Sequence, residues 1–93
     1  MRKRGKVDLN QPEIVDALRK VGATIQSLAN IGNGCPDILV GHDGVWYVIE
    51  IKNGNLAPSK QRLTSDEDKW HQSAQTPVHV VNSVAEALKI ILK

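Results

Sequence analysis

The feature that most constrains this chain is the dipeptide Asp43-Gly44, set between two apolar runs, Ile38-Leu39-Val40 and Val45-Trp46-Tyr47-Val48-Ile49-Glu50-Ile51-Lys52. Asp-Gly between strand-forming segments is a strong turn signal, so the runs are expected to pair as a hairpin around Gly41-His42-Asp43-Gly44. Side chains alternate in direction along a strand. Glu50 and Lys52 therefore project from the face shared with Trp46 and Val48, and Ile51 from the other. A carboxylate and an ammonium are poor material for a plain core, and an exposed ion pair on a strand adds little stability. With Asp37 beside them, at the head of the first run, they make sense if a divalent cation sits between the two carboxylates.

The rest of the chain places this hairpin in an α/β layout. Ile14, Ala17, Leu18 and Val21 recur at helical spacing, with Asn10 as cap and Gly22 placed to end the helix. Thr24 to Ala29 reads as a strand, and Asn30-Ile31-Gly32-Asn33-Gly34 as a turn-rich loop. After the hairpin, Asn53-Gly54-Asn55 ends the strand, and Leu56 to Leu63 is a loop carrying Pro58, Lys60 and Arg62. A second helix starts near Thr64 or Ser65, runs to about Ala74 and turns Trp70 inward; Trp46 likewise reads as packing. Val78-His79-Val80-Val81 reads as a short buried strand. Ser83 and Glu86 form a capping box for a last helix striped by Val84, Leu88 and Ile91. The order α-β-β-β-α-β-α brings the last strand in through a helical crossover, which argues for a mixed central sheet flanked by helices.

Ninety-three residues suit one domain with a single core. No apolar stretch approaches the length of a membrane span, and the basic start lacks a signal peptide's apolar segment. One cysteine, Cys35, excludes an internal disulfide and fits a reducing cytoplasm; it reads as a small apolar spacer. No second cysteine or histidine stands at zinc spacing, and His42, His71 and His79 are too scattered to be assigned to a metal. The net charge of +2 hides an asymmetry: without Arg2, Lys3, Arg4 and Lys6 the body carries eight basic against ten acidic residues. Residues 1–8 are therefore read as a basic arm, either a solvated terminus or a flexible segment that contacts phosphates, and 9–93 as the folded domain.

The pattern Pro36-Asp37, a hairpin-length gap, then Glu50-Ile51-Lys52 resembles the PD-(D/E)xK nuclease superfamily. Glu13 on the first helix, Gly34 before Cys35-Pro36-Asp37, and Leu63-Thr64-Ser65-Asp66-Glu67-Asp68-Lys69-Trp70-His71 after the Glu-x-Lys strand narrow the resemblance to the VRR-NUC family. The likeness is greatest to its small stand-alone members from phages and bacteria, and it spans roughly residues 10 to 92. It implies a restriction-endonuclease-like core, hydrolysis of a DNA phosphodiester, and a homodimer that selects branched DNA such as four-way (Holliday) junctions. It implies a setting in the cytoplasm of a bacterial cell or a phage-infected host.

On that reading Asp37 and Glu50, with the main-chain carbonyl of Ile51, would offer hard oxygen ligands to Mg²⁺ or Mn²⁺. Lys52 would orient the attacking water and stabilise developing negative charge; its ordinary pKa of about 10.4 disfavours a role as base. The resemblance implies an active-site role for Glu13, whose plain alternative is a stabilising carboxylate in the first helical turn. A second cation near Glu13 stays open. Glu67 stands where the family usually shows glutamine, as a positioner of water or DNA, and it also fits a capping box with Thr64. Lys60 and Arg62, with Arg2, Lys3, Arg4 and Lys6, are candidate phosphate contacts. Two alternatives stand beside junction resolution: a flap or nicking nuclease without junction preference, and a DNA-binding module of the same fold that does not cut.

Overall fold

Helix α1, Gln11–Lys20, begins with Pro12 in its first turn, where proline costs no helical hydrogen bond. It closes with a Schellman motif: Gly22 N–H donates to the Arg19 carbonyl at 3.0 Å and Ala23 N–H to the Leu18 carbonyl at 3.1 Å. Gly22 takes φ +91°, which only glycine adopts without strain, so the sequence ends this helix where its spacing predicts. The computed structural model describes residues 10–54, 56 and 62–92. The basic arm and Lys60 lie outside the described residues. Strand β1, Thr24–Ser27, is two residues shorter than its pattern suggests, because Leu28 to Ile31 curls into a turn. Strands β2, Ile38–His42, and β3, Val45–Ile51, pair around Asp43 and Gly44, which take φ 50° and 79°. Positive φ at both central residues is the signature of a type I′ hairpin. Helix α2, Ser65–Ser73, strand β4, His79–Val81, and helix α3, Val84–Ile91, complete the expected order.

The result is a small α/β domain with one four-stranded mixed sheet, ordered β1-β2-β3-β4, and three helices. Strand β2 pairs antiparallel with both β1 and β3, while β4 runs parallel to β3 after the α2 crossover. The register aligns Ile25, Val40 and Tyr47, then Ile38 and Ile49, then Ile51 and Val81, on one face. That face is the core. Ile38, Val40, Ile49 and Ile51 are fully buried there with Ile14 and Leu18 of α1, and Ala87 and Ile91 of α3 close it. Burying each large aliphatic side chain contributes about 1.5–3 kcal/mol, so this face carries the stability of the sheet. No described helix is long and apolar enough to cross a membrane.

The opposite face carries Leu39, Gly41, Trp46, Val48, Glu50 and Val80. Here three packing expectations fail: α2 reaches Glu50 but covers neither Trp46 nor Val80, the β4 residue that pairs with Glu50. Trp46 is 62% exposed and lies across Gly41, where an added Cβ would stand 2.7 Å from the indole. Val80 is 47% exposed, so β4 buries Val81 alone. Trp70 is half-buried and outside the core, since α2 has no buried residue. Two caps also differ in detail. Asn10 makes no side-chain cap; its Nδ2 donates to the main-chain carbonyls of Lys52 at 3.1 Å and Asn82 at 3.3 Å, tying α1 to the ends of β3 and β4. Ser83 Oγ accepts from Glu86 N–H, but Glu86 Oε1 accepts from Asn82 N–H instead of completing the box.

Candidate active site

Asp37 enters the site through its backbone. Its N–H donates to the Ile49 carbonyl at 3.1 Å and its carbonyl accepts from Leu28 N–H at 2.9 Å, which fixes it between β1 and β3. Its Oδ2 then accepts from Ile51 N–H at 2.6 Å. An N–H that would otherwise face no strand at this point is satisfied by the carboxylate, and Asp37 is thereby held beside Glu50. Pro36, fully buried, sets the approach. Cys35 adjoins both acids: burial, then the charges of Glu50 and Asp37, push its thiol pKa upward. The cysteine is half-buried and unbonded, a spacer as the sequence suggests.

Glu50 is 2% exposed on a face where carboxylates are not normally buried. Burial, a hydrogen bond shared with Asp37, and the charges of Asp37 and Glu67 lift its pKa well above the usual carboxylate range; Lys52 opposes them and is outweighed. Lys52, two residues on, is held by Lys52 N–H donating to the Val81 carbonyl at 2.8 Å. Its Nζ lies 3.9 Å from Glu50 Oε2 and 2.7 Å from Glu67 Oε1. The alternation along β3 thus delivers Glu50 and Lys52 to one face, as expected.

Helix α2 closes the site from above. Thr64 Oγ1 accepts from Glu67 N–H at 3.2 Å, and Glu67 Oε1 accepts from Thr64 N–H at 2.8 Å, a complete capping box. The same Oε1 accepts from Lys52 Nζ. The two readings of Glu67 are therefore not alternatives: one oxygen caps the helix and holds the lysine. Burial alone would raise the Glu67 pKa, but the hydrogen bonds from Lys52 and Thr64 outweigh it and hold the group below the ordinary range. Gly34 makes this docking fit. It takes φ +83°, and a Cβ there would collide with the Asp66 carbonyl and press on Glu67 N.

His71, passed over in the sequence, completes the cluster. Its Nε2 stands 3.7 Å from Glu50 Oε1, and both atoms are buried without a hydrogen-bond partner. Burial lowers its pKa, so the imidazole is neutral near neutral pH. The signal was present in the sequence as the stripe Glu67, Trp70, His71, Ala74, at spacings of three and four, which the structure turns toward the sheet. Glu13 is carried by α1. It is exposed, makes no hydrogen bond or ion pair among the described residues, and lines an open cleft of ≈ 200 Å³ with Asn10, Asn53 and Asn82. Arg62 is exposed.

Among the described residues no group of three or more His, Cys, Asp or Glu side chains is gathered so as to enclose a metal ion. The chemistry at Asp37 and Glu50 nonetheless fits a hard divalent cation of the Mg²⁺ kind, which binds through one or two carboxylates and keeps several waters. Glu50 Oε1, buried and without a hydrogen-bond partner among the described residues, shows that this carboxyl group keeps unused lone-pair capacity for such an ion. No family model, curated protein or solved structure matches the chain.

Proposed function

We propose that this chain is a divalent-metal-dependent endodeoxyribonuclease with a PD-(D/E)xK core of the VRR-NUC type, acting as a homodimer on branched DNA, four-way junctions first among them. One observation carries the reading. Asp37, just before β2, and Glu50 and Lys52, at the end of β3, converge at one end of the sheet, and Glu50, the most buried of them, keeps an oxygen without a hydrogen-bond partner among the described residues.

Asp37 and Glu50 would hold the cation, Mg²⁺ or Mn²⁺, together with the main-chain carbonyl of Ile51. When bound, such an ion polarises a phosphoryl oxygen and lowers the pKa of an attached water. The chain itself supplies position and charge. Asp37 is immobilised by the Ile51 amide, so its remaining oxygen presents a fixed direction. Lys52, seated between Glu50 and Glu67, offers an ammonium to a phosphate oxygen and acts as a fixed cation. Arg62 and the basic arm would track the backbone away from the cut. A domain of this size has little surface for base readout, so DNA shape is the feature it would recognise. The setting would be the cytoplasm of a bacterial or phage-infected cell.

The test is cleavage of labelled four-way junction, flap and linear duplex, with Mg²⁺ or Mn²⁺ against EDTA. Asp37→Ala and Glu50→Ala should lose cutting and keep DNA binding. Near-wild-type cutting by either folded variant would refute the site. Junction binding without cleavage by the wild type would favour the non-cutting module.

A further inference from the structure

Helix α2 meets β3 with two side chains one turn apart. Glu67 reaches Lys52 and His71 faces Glu50. Four helical residues rise about 6 Å and two strand residues about 6.6 Å, so the two pairs stay in step across the gap. The first pair is in direct contact at 2.7 Å. The second is not: 3.7 Å is too long for a hydrogen bond. Both of its atoms are nevertheless buried and have no other hydrogen-bond partner among the described residues; Glu50 is 2% exposed and the His71 side chain 13%. An unpartnered buried polar atom costs about 1–3 kcal/mol, and here two such atoms face each other. Atoms at this separation can each reach a common oxygen at about 2.8 Å, and bridging waters are held by such otherwise unsatisfied buried polar groups.

We propose that His71 is a positioning residue for Glu50, acting through one water molecule held between His71 Nε2 and Glu50 Oε1. The imidazole N–H donates to the water, and the water donates to the carboxylate. This fixes the rotation of the Glu50 carboxyl plane and leaves its other lone pairs facing Asp37. His71 thereby matches the part Glu67 plays for Lys52: one helix face orients both charged residues of the strand. Only the functional consequence, a tighter cation site, rests on the nuclease reading; the bridge itself does not.

Two arms test it. In a crystal structure of the metal-free wild type at about 1.2 Å, where water and ring orientation are best defined, a water oxygen should lie within hydrogen-bond distance of both atoms. An empty gap, or a direct His71–Glu50 hydrogen bond, overturns the proposal. In the second arm Mn²⁺ binding is measured by calorimetry for wild type, His71→Phe and His71→Gln, each confirmed as folded by thermal melting. Loss of a group that orients a ligand typically weakens metal affinity about 10–100-fold, so His71→Phe should bind about ten-fold more weakly or worse. His71→Gln, whose amide nitrogen can stand where Nε2 does, should recover most of that loss. Equal affinity for His71→Phe and wild type overturns the positioning role. So does direct nitrogen coupling to bound Mn²⁺ by electron spin-echo spectroscopy, which would make His71 a ligand. If the wild type binds no Mn²⁺ or Mg²⁺, the nuclease reading falls while the crystallographic arm still decides the bridge.

Discussion

Replacing Glu50 by glutamine should stabilise the cation-free protein, by an amount that grows with pH. Glu50 is 2% exposed, and burial, the shared hydrogen bond with Asp37, and the charges of Asp37 and Glu67 all favour its protonated form in the fold. In the unfolded chain the same group titrates near 4.5. Between those two values the folded state holds a proton that the unfolded state has released. Stability is therefore fully present below the unfolded value and falls as pH rises toward the folded one. One retained proton changes stability by up to about 1.4 kcal/mol per pH unit, hence by up to about 3 kcal/mol between pH 5 and 7. Glutamine keeps the shape and cannot ionise. His71 acts in the opposite sense, since a depressed imidazole pKa removes stability on acidification, but it is present in both proteins. Urea unfolding in EDTA at pH 5, 6 and 7 measures the difference directly. The variant's advantage should widen by about 1–3 kcal/mol over that range, and Mn²⁺ should then stabilise the wild type alone. A difference that stays constant with pH, or a variant less stable at pH 7, would refute the account of Glu50 as a carboxylate held for a cation.

Gly34→Ala should cost roughly 1–2 kcal/mol for the left-handed backbone alone, and more as α2 is pushed from the sheet; DNA cleavage should fall further than the melting temperature, and unchanged activity would count against α2 as the roof of the site. Deleting residues 1–6 removes four positive charges; a salt titration of duplex binding should show the slope of log K against log salt reduced by roughly 0.9 for each lost contact, and an unchanged slope would exclude the arm from the interface. Sedimentation should give twice the monomer mass at micromolar concentration, and mixing wild type with Glu50→Ala should produce dimers that nick one strand of a junction. A monomer that cuts both strands in concert would remove the dimer and leave the nuclease assignment standing.

What the residues revealed in advance was mostly local. The Asp43-Gly44 turn, the Gly22 stop, the Thr64–Glu67 box and the alternation of Val45 to Lys52 each depend on neighbours within a few positions, and each forms as expected. The errors came from contacts distant in sequence. Asn10 is a good cap residue by type, yet its amide goes to carbonyls 42 and 72 positions away. Trp46 and Val80 have the composition of core residues, but whether they are covered depends on how far α2 extends over the sheet, which no pattern within β3 or β4 encodes. His71 is left unassigned by a sequence in which the three histidines fall on a turn, a helix and a strand; its relation to Glu50 exists only once α2 crosses β3. Glu13 joins the catalytic set through the resemblance alone; no local pattern on α1 marks it, and it lines a cleft with Asn10, Asn53 and Asn82.

The position of α2 follows from the same groups. The helix buries no residue of its own, so apolar packing contributes little to where it sits. Its register on the sheet is set by polar contacts: the Thr64 cap, the Gly34 loop beneath Asp66, the Glu67–Lys52 ion pair and the His71–Glu50 gap. A partly buried ion pair is weak support for stability but a strict constraint on geometry, because either partner alone would be a desolvated charge. Glutamine at position 67 would still cap the helix and still accept from Lys52, yet without the negative charge that fixes the ammonium between two acids. The glutamate in this chain therefore binds the lysine more tightly at the cost of neutralising part of its field. On the proposed nuclease reading, a phosphate entering the site would share Lys52 with Glu67, so the strength of that one 2.7 Å contact would set how much positive charge the site offers to DNA.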